Sequence, residues 1–266
     1  MKGFNRNNGE LFLDDILLSD LAASYGTPTY VYSASLIRSR FFEYKDALRQ
    51  DDKVCFAVKS NSNINILKLL NEMGSGFDVV SGNELRRCLL AGADPKNIVF
   101  SGVGKTKAEI QLALKENIFS INIESENELN RIIEIAKEMG VEANCAIRVN
   151  PDISAESHPY IETGLKTSKF GVTKEVALNM SQKIRTSENI NLIGLACHIG
   201  SQIIKPELIL DSLEHLIHLA GEINRDLNTV TFLDIGGGLG ITYKDEERAS
   251  PSEIISKTLN RLGDLN

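Results

Sequence analysis

The chain has 266 residues, of which 42% are apolar and 24% are charged, and its formal net charge is -7. This length and apolar content fit one barrel-sized domain with a large buried core. The acidic balance argues against nucleic acid and anionic membranes as partners.

Cysteine usage and the N-terminus indicate the compartment. The four cysteines form no CxxC pair, which favours buried thiols in a reducing cytosol. The first 15 residues contain no apolar signal core, and no run approaches the roughly 18 apolar residues of a membrane helix. The sequence therefore predicts a soluble cytoplasmic protein without a membrane segment.

Extended segments and amphipathic stretches alternate along the chain. The N-terminal part contains extended segments at Leu11–Asp14 and Tyr30–Tyr32, followed by a helix candidate at Ala34–Arg49. The seven strand candidates that follow are Val54–Lys59, Gly76–Ser81, Asn97–Ser101, Ile118–Ile123, Asn144–Asn150, Ile193–His198 and Phe232–Gly236. The alternating helix candidates begin near Asn63, Gly82, Thr106, Ser125, Thr173, Lys205 and Ser252.

Local signals support these boundaries. Ser125 followed by Glu128 predicts a capping box, and Gly140 is a candidate C-terminal cap of the same helix. The longest irregular stretch is Pro151–Gly171, and its histidine, tyrosine, lysine and threonine content favours a functional loop over disorder.

The repeated strand–helix unit predicts the fold. Strands that are apolar throughout are buried on both faces, as in a parallel sheet, and short connections are typical of α/β folds. A closed (β/α)8 barrel of the TIM type needs eight strands, but only seven are counted before the chain stops at Asn266. We therefore expect such a barrel truncated before its eighth strand, with a doubly wound open sheet as the alternative.

Two segments at strand ends could form a cofactor site. Lys59 ends the first strand candidate, where a desolvated lysine could lose its proton and attack an aldehyde, although a surface lysine is the plainer interpretation. The glycine run Gly236–Gly240 follows the seventh strand, where barrels often bind phosphate through backbone N–H groups. A glycine-rich loop alone is weak evidence, and this one lacks the P-loop pattern.

Other polar residues at strand ends remain open to two interpretations. His198 could stack on a flat ring or act as an acid or base, or it could be a satisfied core histidine; no second ligand at metal spacing accompanies it. Ser201 offers a hydroxyl to a phosphate oxygen. Asp78, Glu84 and Arg148 could belong to the site or form structural ion pairs and caps.

Six motifs in order carry a family resemblance. They are TPTYVYS, AVKSN, FDVVSGNE, HPYIETGLKTSKFG, CHIGSQ and DIGGGLG. Together they resemble the signature set of the diaminopimelate decarboxylases, within the alanine-racemase-like barrels that include ornithine and arginine decarboxylases. The resemblance extends from about Gly9 to Leu265, and the HPYIETG and HIGSQ wording favours the diaminopimelate branch.

The resemblance implies a cofactor, a reaction and site residues. The cofactor would be pyridoxal phosphate, and the reaction would convert meso-diaminopimelate to L-lysine and CO2. A decarboxylase or racemase for another amino acid, or an inactive cofactor-binding paralogue, is the alternative. Lys59 would form the Schiff base, His198 would stack on the ring, Ser201, Gly236, Gly237 and Gly238 would hold the phosphate, and Asp78 and Arg148 would support the cofactor.

The same resemblance implies parts beyond this chain. In the family, an EPGR-type segment on the eighth strand and a C-terminal β domain would follow the equivalent of Asn266, and the active site would form in a homodimer. Residues 1–26, with the strand Glu10–Asp14, would belong to that β domain, and residues 27–266 would form the cofactor-binding barrel. The chain alone is then expected to bind the cofactor weakly and to turn over little or nothing.

Overall fold

The structure is a computed structural model that describes residues 3–151, 170–243, 245, 247 and 249–263. It begins with a small antiparallel sheet, which consists of β1 (Phe4–Asn7), β2 (Glu10–Leu13) and β3 (Ile16–Leu17). Helix α1 (Leu18–Tyr25) follows directly. In the part of the chain that the structure describes, this sheet shares no strand with the larger, seven-stranded sheet. The strand predicted at residues 10–14 is confirmed, whereas its two partners and α1 were not predicted.

Within the described ranges, seven parallel strands form the main sheet. They are β4 (Cys55–Ala57), β5 (Gly76–Val79), β6 (Ile98–Phe100), β7 (Ser120–Ile123), β8 (Ala143–Arg148), β9 (Ile190–Ala196) and β10 (Phe232–Asp234). All seven predicted strands are confirmed. Several end earlier than predicted, because their last residues turn out of the ladder. Lys59 accordingly lies in a 3-10 turn, Val58–Ser60, and not in the strand itself.

The sheet is a curled half-barrel and not an open doubly wound sheet. Its strands are hydrogen-bonded in strict chain order from β4 to β10, without the reversal of order that a doubly wound sheet requires. Side chains also meet across the concave face: Asn122 Nδ2 on β7 lies 3.4 Å from Asp234 Oδ2 on β10. The rings of Phe119 and Phe232 have centroids 5.0 Å apart. The barrel-type fold is therefore confirmed and the alternative is wrong.

Among the described residues, eight helices surround the sheet in a ring. They are α2 (Ala34–Lys45), α3 (Ile64–Glu72), α4 (Gly82–Leu90), α5 (Lys107–Lys115), α6 (Glu126–Met139), α7 (Lys174–Arg185), α8 (Pro206–Asn224) and α9 (Pro251–Gly263). Each packs against the next, and α9 packs back against α2, so the helical layer is closed although the sheet is not. Helix α2 ends at Lys45, earlier than the predicted Arg49, because residues 46–48 form turns.

A large cavity lies where the sheet is open. Its volume is about 2220 Å³, and its lining comes from β4, β10 and the facing sides of α2, α8 and α9. The cavity continues to the ends of the strands that carry Lys59 and His198. The same cavity therefore reaches both the interior of the half-barrel and the candidate site.

Helix ends test the predicted caps. The Ser125 hydroxyl accepts from Glu128 N, but the Glu128 carboxylate accepts from Glu124 N and not from Ser125 N, so only half of the predicted capping box is present. Gly140 adopts a left-handed conformation (φ 65°) at the end of α6, as predicted. Most of the predicted functional loop, with nearly all of the HPYIETGLKTSKFG motif, lies outside the described residues. None of the described helices is long and apolar enough to cross a membrane.

Candidate active site

Four of the predicted site residues meet at the carboxyl ends of the strands. Lys59 follows β4, Asp78 lies in β5, Arg148 ends β8, and His198 comes two residues after β9. All four line the cavity. Asp78 and His198 each interact electrostatically with both Lys59 and Arg148. Parallel strands bring their ends to one edge, which explains how residues 139 positions apart form one cluster.

The glycine loop and Ser201 form the second part of the site. The loop leaves β10 and runs beside the segment that follows β9, with Ile203 N donating to Gly238 O and Gly240 N donating to Ile203 O, both at 2.8 Å. This pairing brings Ser201 next to Gly238. The structure thus brings together all the residues that the sequence suggested for a phosphate.

The first three glycines of the loop, Gly236 to Gly238, differ in why the structure needs glycine at each position. Gly236 (φ 72°) and Gly238 (φ 92°) adopt backbone conformations that favour glycine. An added Cβ would lie 2.5 Å from Cys197 O at the first and 1.9 Å from Gly200 O at the second. Around Gly237, by contrast, an added Cβ would meet no atom of the described residues within 4 Å. The outer glycines therefore allow the loop to pack on the β9 side, and the middle one faces open space.

His198 is a neutral ring held by the glycine loop. Burial is the main cause that lowers the pKa of its imidazole, and the nearby Arg148 and Lys59 charges lower it further. Gly237 N donates to His198 Nδ1 at 3.4 Å. A lowered pKa keeps the imidazole uncharged at neutral pH, so that Nδ1 can accept this hydrogen bond. The structure therefore favours a site histidine that presents a flat, uncharged ring to the cavity.

A chain of polar residues crosses the floor of the half-barrel. Burial raises the pKa of Asp78 to about 6. The Ser101 hydroxyl, which donates to Asp78 Oδ1 at 2.6 Å, has the opposite effect and lowers this pKa. Asn122 Nδ2 donates to Ser101 Oγ at 3.1 Å and reaches Asp234. Burial also raises the pKa of Asp234, whose accessible surface faces the cavity, while Gly236 N donates to its Oδ1 at 2.8 Å.

Sequence reasoning missed several residues of this site. Ser101, Asn122 and Asp234 lie within or at the ends of strand candidates, and Glu124 comes directly after β7. A systematic search for polar residues at each strand end would have found them, since parallel strands place these positions together. For Glu84, the sequence allowed either a site role or a structural one. Its carboxylate, in the first turn of α4, accepts from Val80 N at 2.8 Å, so its role is structural.

The raised pKa of Asp78 predicts a pH-dependent penalty on folding. The folded carboxyl binds its proton more tightly than the unfolded one, so the penalty is absent below the unfolded pKa of about 4 and is complete above the folded pKa of about 6. We expect Asp78→Asn to raise the free energy of unfolding by up to about 3 kcal/mol at about pH 8 and by much less at about pH 4. Urea unfolding of the cofactor-free chain at both pH values measures the difference.

Asp51→Asn is the matched control for that prediction, because Asp51 is exposed. It should change the free energy of unfolding equally little at both pH values. A pH-independent effect of Asp78→Asn would show that the carboxyl is as well solvated in the folded chain as in the unfolded one.

Comparison with known proteins identifies the family. Residues 34–265 match the family described as "Pyridoxal-dependent decarboxylase, pyridoxal binding domain". The diaminopimelate decarboxylase of Pseudomonas aeruginosa is 43% identical over 98% of this chain, and the match covers 63% of that relative. The match to the Vibrio cholerae enzyme is 42% identical and covers the same shares of the two chains.

Solved structures agree with the sequence comparison. The diaminopimelate decarboxylase of M. jannaschii in co-complex with L-lysine has a TM-score of 0.92 at 34% identity, over 98% of this chain and 63% of that one. The Helicobacter pylori diaminopimelate decarboxylase complexed with L-lysine has a TM-score of 0.86 at 40% identity, over 93% of this chain and 63% of that one. The chain thus spans somewhat less than two thirds of the relatives it matches. It belongs to the pyridoxal-dependent decarboxylases, whose pyridoxal binding domain it contains.

Proposed function

We propose that this chain is the cofactor-binding part of an enzyme that decarboxylates meso-diaminopimelate to L-lysine and CO2 with pyridoxal phosphate. The observation that carries the proposal is the cluster of Lys59, His198 and the glycine loop on one cavity. The relatives at 42–43% identity support the substrate, since both are named diaminopimelate decarboxylases. The two solved complexes with L-lysine support the product.

The residues present fit pyridoxal phosphate. Gly237 leaves open space where a side chain would stand, at the position where barrels of this type hold phosphates. The exposed amine of Lys59 and the uncharged ring of His198 face the same cavity. A primary amine, a flat ring and an open glycine turn are what an aldehyde, a pyridine ring and a phosphate require. Ser201, Gly236, Gly237 and Gly238 would hold the phosphate.

Each residue has a task that its position permits. Lys59 is the amine that would bind the aldehyde carbon covalently. His198 would lie against the ring, held in place by Gly237 N. Arg148 and Asp78 would bracket the ring with opposite charges that also interact with each other. The bound cofactor supplies the conjugated system that takes up the electron pair left when CO2 departs. The protein's part is to orient the scissile bond and to exclude water.

The domain division and the partner belong to the same proposal. Residues 1–26 would join a β domain of the whole protein, and residues 27–266 would form the barrel, which the separate three-stranded sheet supports. The whole protein would act as a homodimer. A cytoplasmic location is supported by the four cysteines, which form no disulfide and whose thiol pKa values are raised mainly by burial.

The test is an assay for lysine. We expect the purified chain with pyridoxal phosphate to form L-lysine from meso-diaminopimelate when the unmatched C-terminal third of the P. aeruginosa relative is supplied, and Lys59→Met to abolish that activity under the same conditions. Ornithine and arginine serve as competing substrates. Decarboxylation of either one in preference to diaminopimelate would contradict the proposed substrate. Lysine formation that survives Lys59→Met would contradict the proposed role of the amine.

A further inference from the structure

We propose that Glu124 is a positioning residue of this site, which acts through Arg148 to set the charge that the cofactor meets. The inference rests on the proposed function, because it concerns how the same cavity binds pyridoxal phosphate. Glu124 comes directly after β7, and its side chain retains only 2% of its accessible surface. Its role is therefore decided by the groups that surround its carboxylate.

Three donors from three parts of the chain converge on that carboxylate. Arg148 Nη1 lies 2.7 Å from Glu124 Oε1, and Gly102 N lies 3.1 Å from the same oxygen. Gly171 N lies 3.1 Å from Oε2. The carboxylate thus joins the loop after β6, the end of β8 and the segment that returns to β8. A buried charge with this many donors fixes the direction of the guanidinium.

The backbone of Glu124 is itself fixed by a network of buried hydrogen bonds through Glu128 and Lys105. Glu124 N donates to Glu128 Oε2 at 2.7 Å, and the buried Lys105 donates to Glu128 Oε1 at 2.9 Å. Lys105 also donates to Asn122 O and to Gly102 O, both at 2.7 Å. The loop and the strand end that present Glu124 are therefore tied together before any ligand binds. Such pre-organisation allows a second layer of residues to fix the groups that touch the ligand.

Arg148 transmits the effect to the cavity. Its guanidinium lowers the pKa of both His198 and Asp78, and it also lines the cavity. Glu124 neutralises much of this positive charge at a distance of 2.7 Å. Without that neutralisation, the cavity would be more positive, and the Arg148 side chain would lose its strongest fixed partner. Both changes would reach the cofactor without any contact between Glu124 and the cofactor.

The decisive experiment is a double-mutant cycle on cofactor binding. Pyridoxal phosphate is titrated into the chain, Glu124→Gln, Arg148→Met and the double variant, and the dissociation constants are compared. We expect Glu124→Gln to weaken binding about tenfold when Arg148 is present. In the Arg148→Met background, Glu124→Gln should weaken binding less than about twofold, since the guanidinium through which Glu124 acts is already absent. Equal losses in both backgrounds would mean that Glu124 only supports the loops, and no loss in either would overturn the proposal outright.

A spectroscopic readout separates positioning from a purely structural role. The absorbance of the bound cofactor is titrated with pH. Lys59, Asp78, Arg148, His198 and Asp234 are charged or titratable groups at the strand-end part of the cavity. Loss of the Glu124 charge leaves the cavity more positive, so the midpoint should move to lower pH. An unchanged midpoint would contradict the proposal.

Controls keep the outcomes distinguishable. Glu126→Gln makes the same change two residues away at an exposed position and should alter neither readout. If Glu124→Gln does not fold, as judged by circular dichroism, the cycle is run with Glu124→Asp, for which the same dependence on Arg148 is expected. Failure of the unaltered chain to bind pyridoxal phosphate at Lys59 would refute the proposed function instead. Normal binding that Glu124→Gln leaves unchanged would refute only this inference.

Discussion

Gly238→Ala is expected to break the glycine loop and to weaken folding and cofactor binding together. The alanine Cβ would lie 1.9 Å from Gly200 O, a backbone atom that cannot rotate away, and the φ of 92° adds strain for any residue with a Cβ. Overpacking combined with backbone strain costs roughly 3 kcal/mol or more. Urea unfolding measures the first effect, and titration with pyridoxal phosphate measures the second.

Gly237→Ala, at the adjacent position, is the control. Its Cβ would meet no atom within 4 Å in the part of the chain that the structure describes, so the free energy of unfolding should change by less than about 1 kcal/mol. If Gly237 lies against the cofactor phosphate, the same variant should still weaken cofactor binding. A Gly238→Ala chain as stable as the unaltered one would show that the loop does not pack on the β9 side as described.

The second large effect is expected at the buried Lys105. Its side chain retains 1% of its accessible surface, and its ammonium donates to Gly102 O, Asn122 O and Glu128 Oε1. Lys105→Met removes all three hydrogen bonds and leaves the Glu128 carboxylate buried without its counter-charge. Breaking a buried pair in this way costs roughly 3–5 kcal/mol. The loss is measured by chemical unfolding at neutral pH.

Lys107→Met, two residues further along the chain at the start of α5, supplies the comparison. Lys107 pairs with Glu138 at 2.7 Å, but both side chains are more than half exposed, so the loss should stay within about 1 kcal/mol. Adding Glu128→Gln to Lys105→Met should recover part of the stability, because the unpaired charge disappears. Similar losses from the two lysine variants would mean that the buried pair does not stabilise this end of the barrel.

The strands and the helix starts could be predicted from the sequence because they depend on local patterns. Apolar runs such as those around Phe77 and Ile121 are buried on both faces, and caps such as Ser125 and Gly140 have short-range signatures. The N-terminal sheet was mostly missed, since β1 and β3 are short and largely exposed and lack such a pattern. Strand ends were placed too late, because apolar residues continue past the last ladder hydrogen bond.

The site could be predicted only where one residue type has a distinctive chemistry. Lys59, His198 and the glycine run stand at strand ends, and their distinctive chemistry makes each of them a candidate for a cofactor site from the sequence. Glu124 and Asp234 gave no such signal, because an acidic residue at the end of a strand or directly after it is common in α/β proteins. Their importance comes from burial and from donors distant in the chain, such as Arg148 on Glu124, which no local pattern records.

The central proposal is that Lys59 is the lysine that binds pyridoxal phosphate covalently. Borohydride reduction of the chain with the cofactor, followed by peptide mass mapping, tests it directly. Lys59 faces the cavity with His198 and the glycine loop, so the account predicts a single adduct on the peptide that contains Lys59. Adducts scattered over exposed lysines, or no adduct at all, would contradict the account.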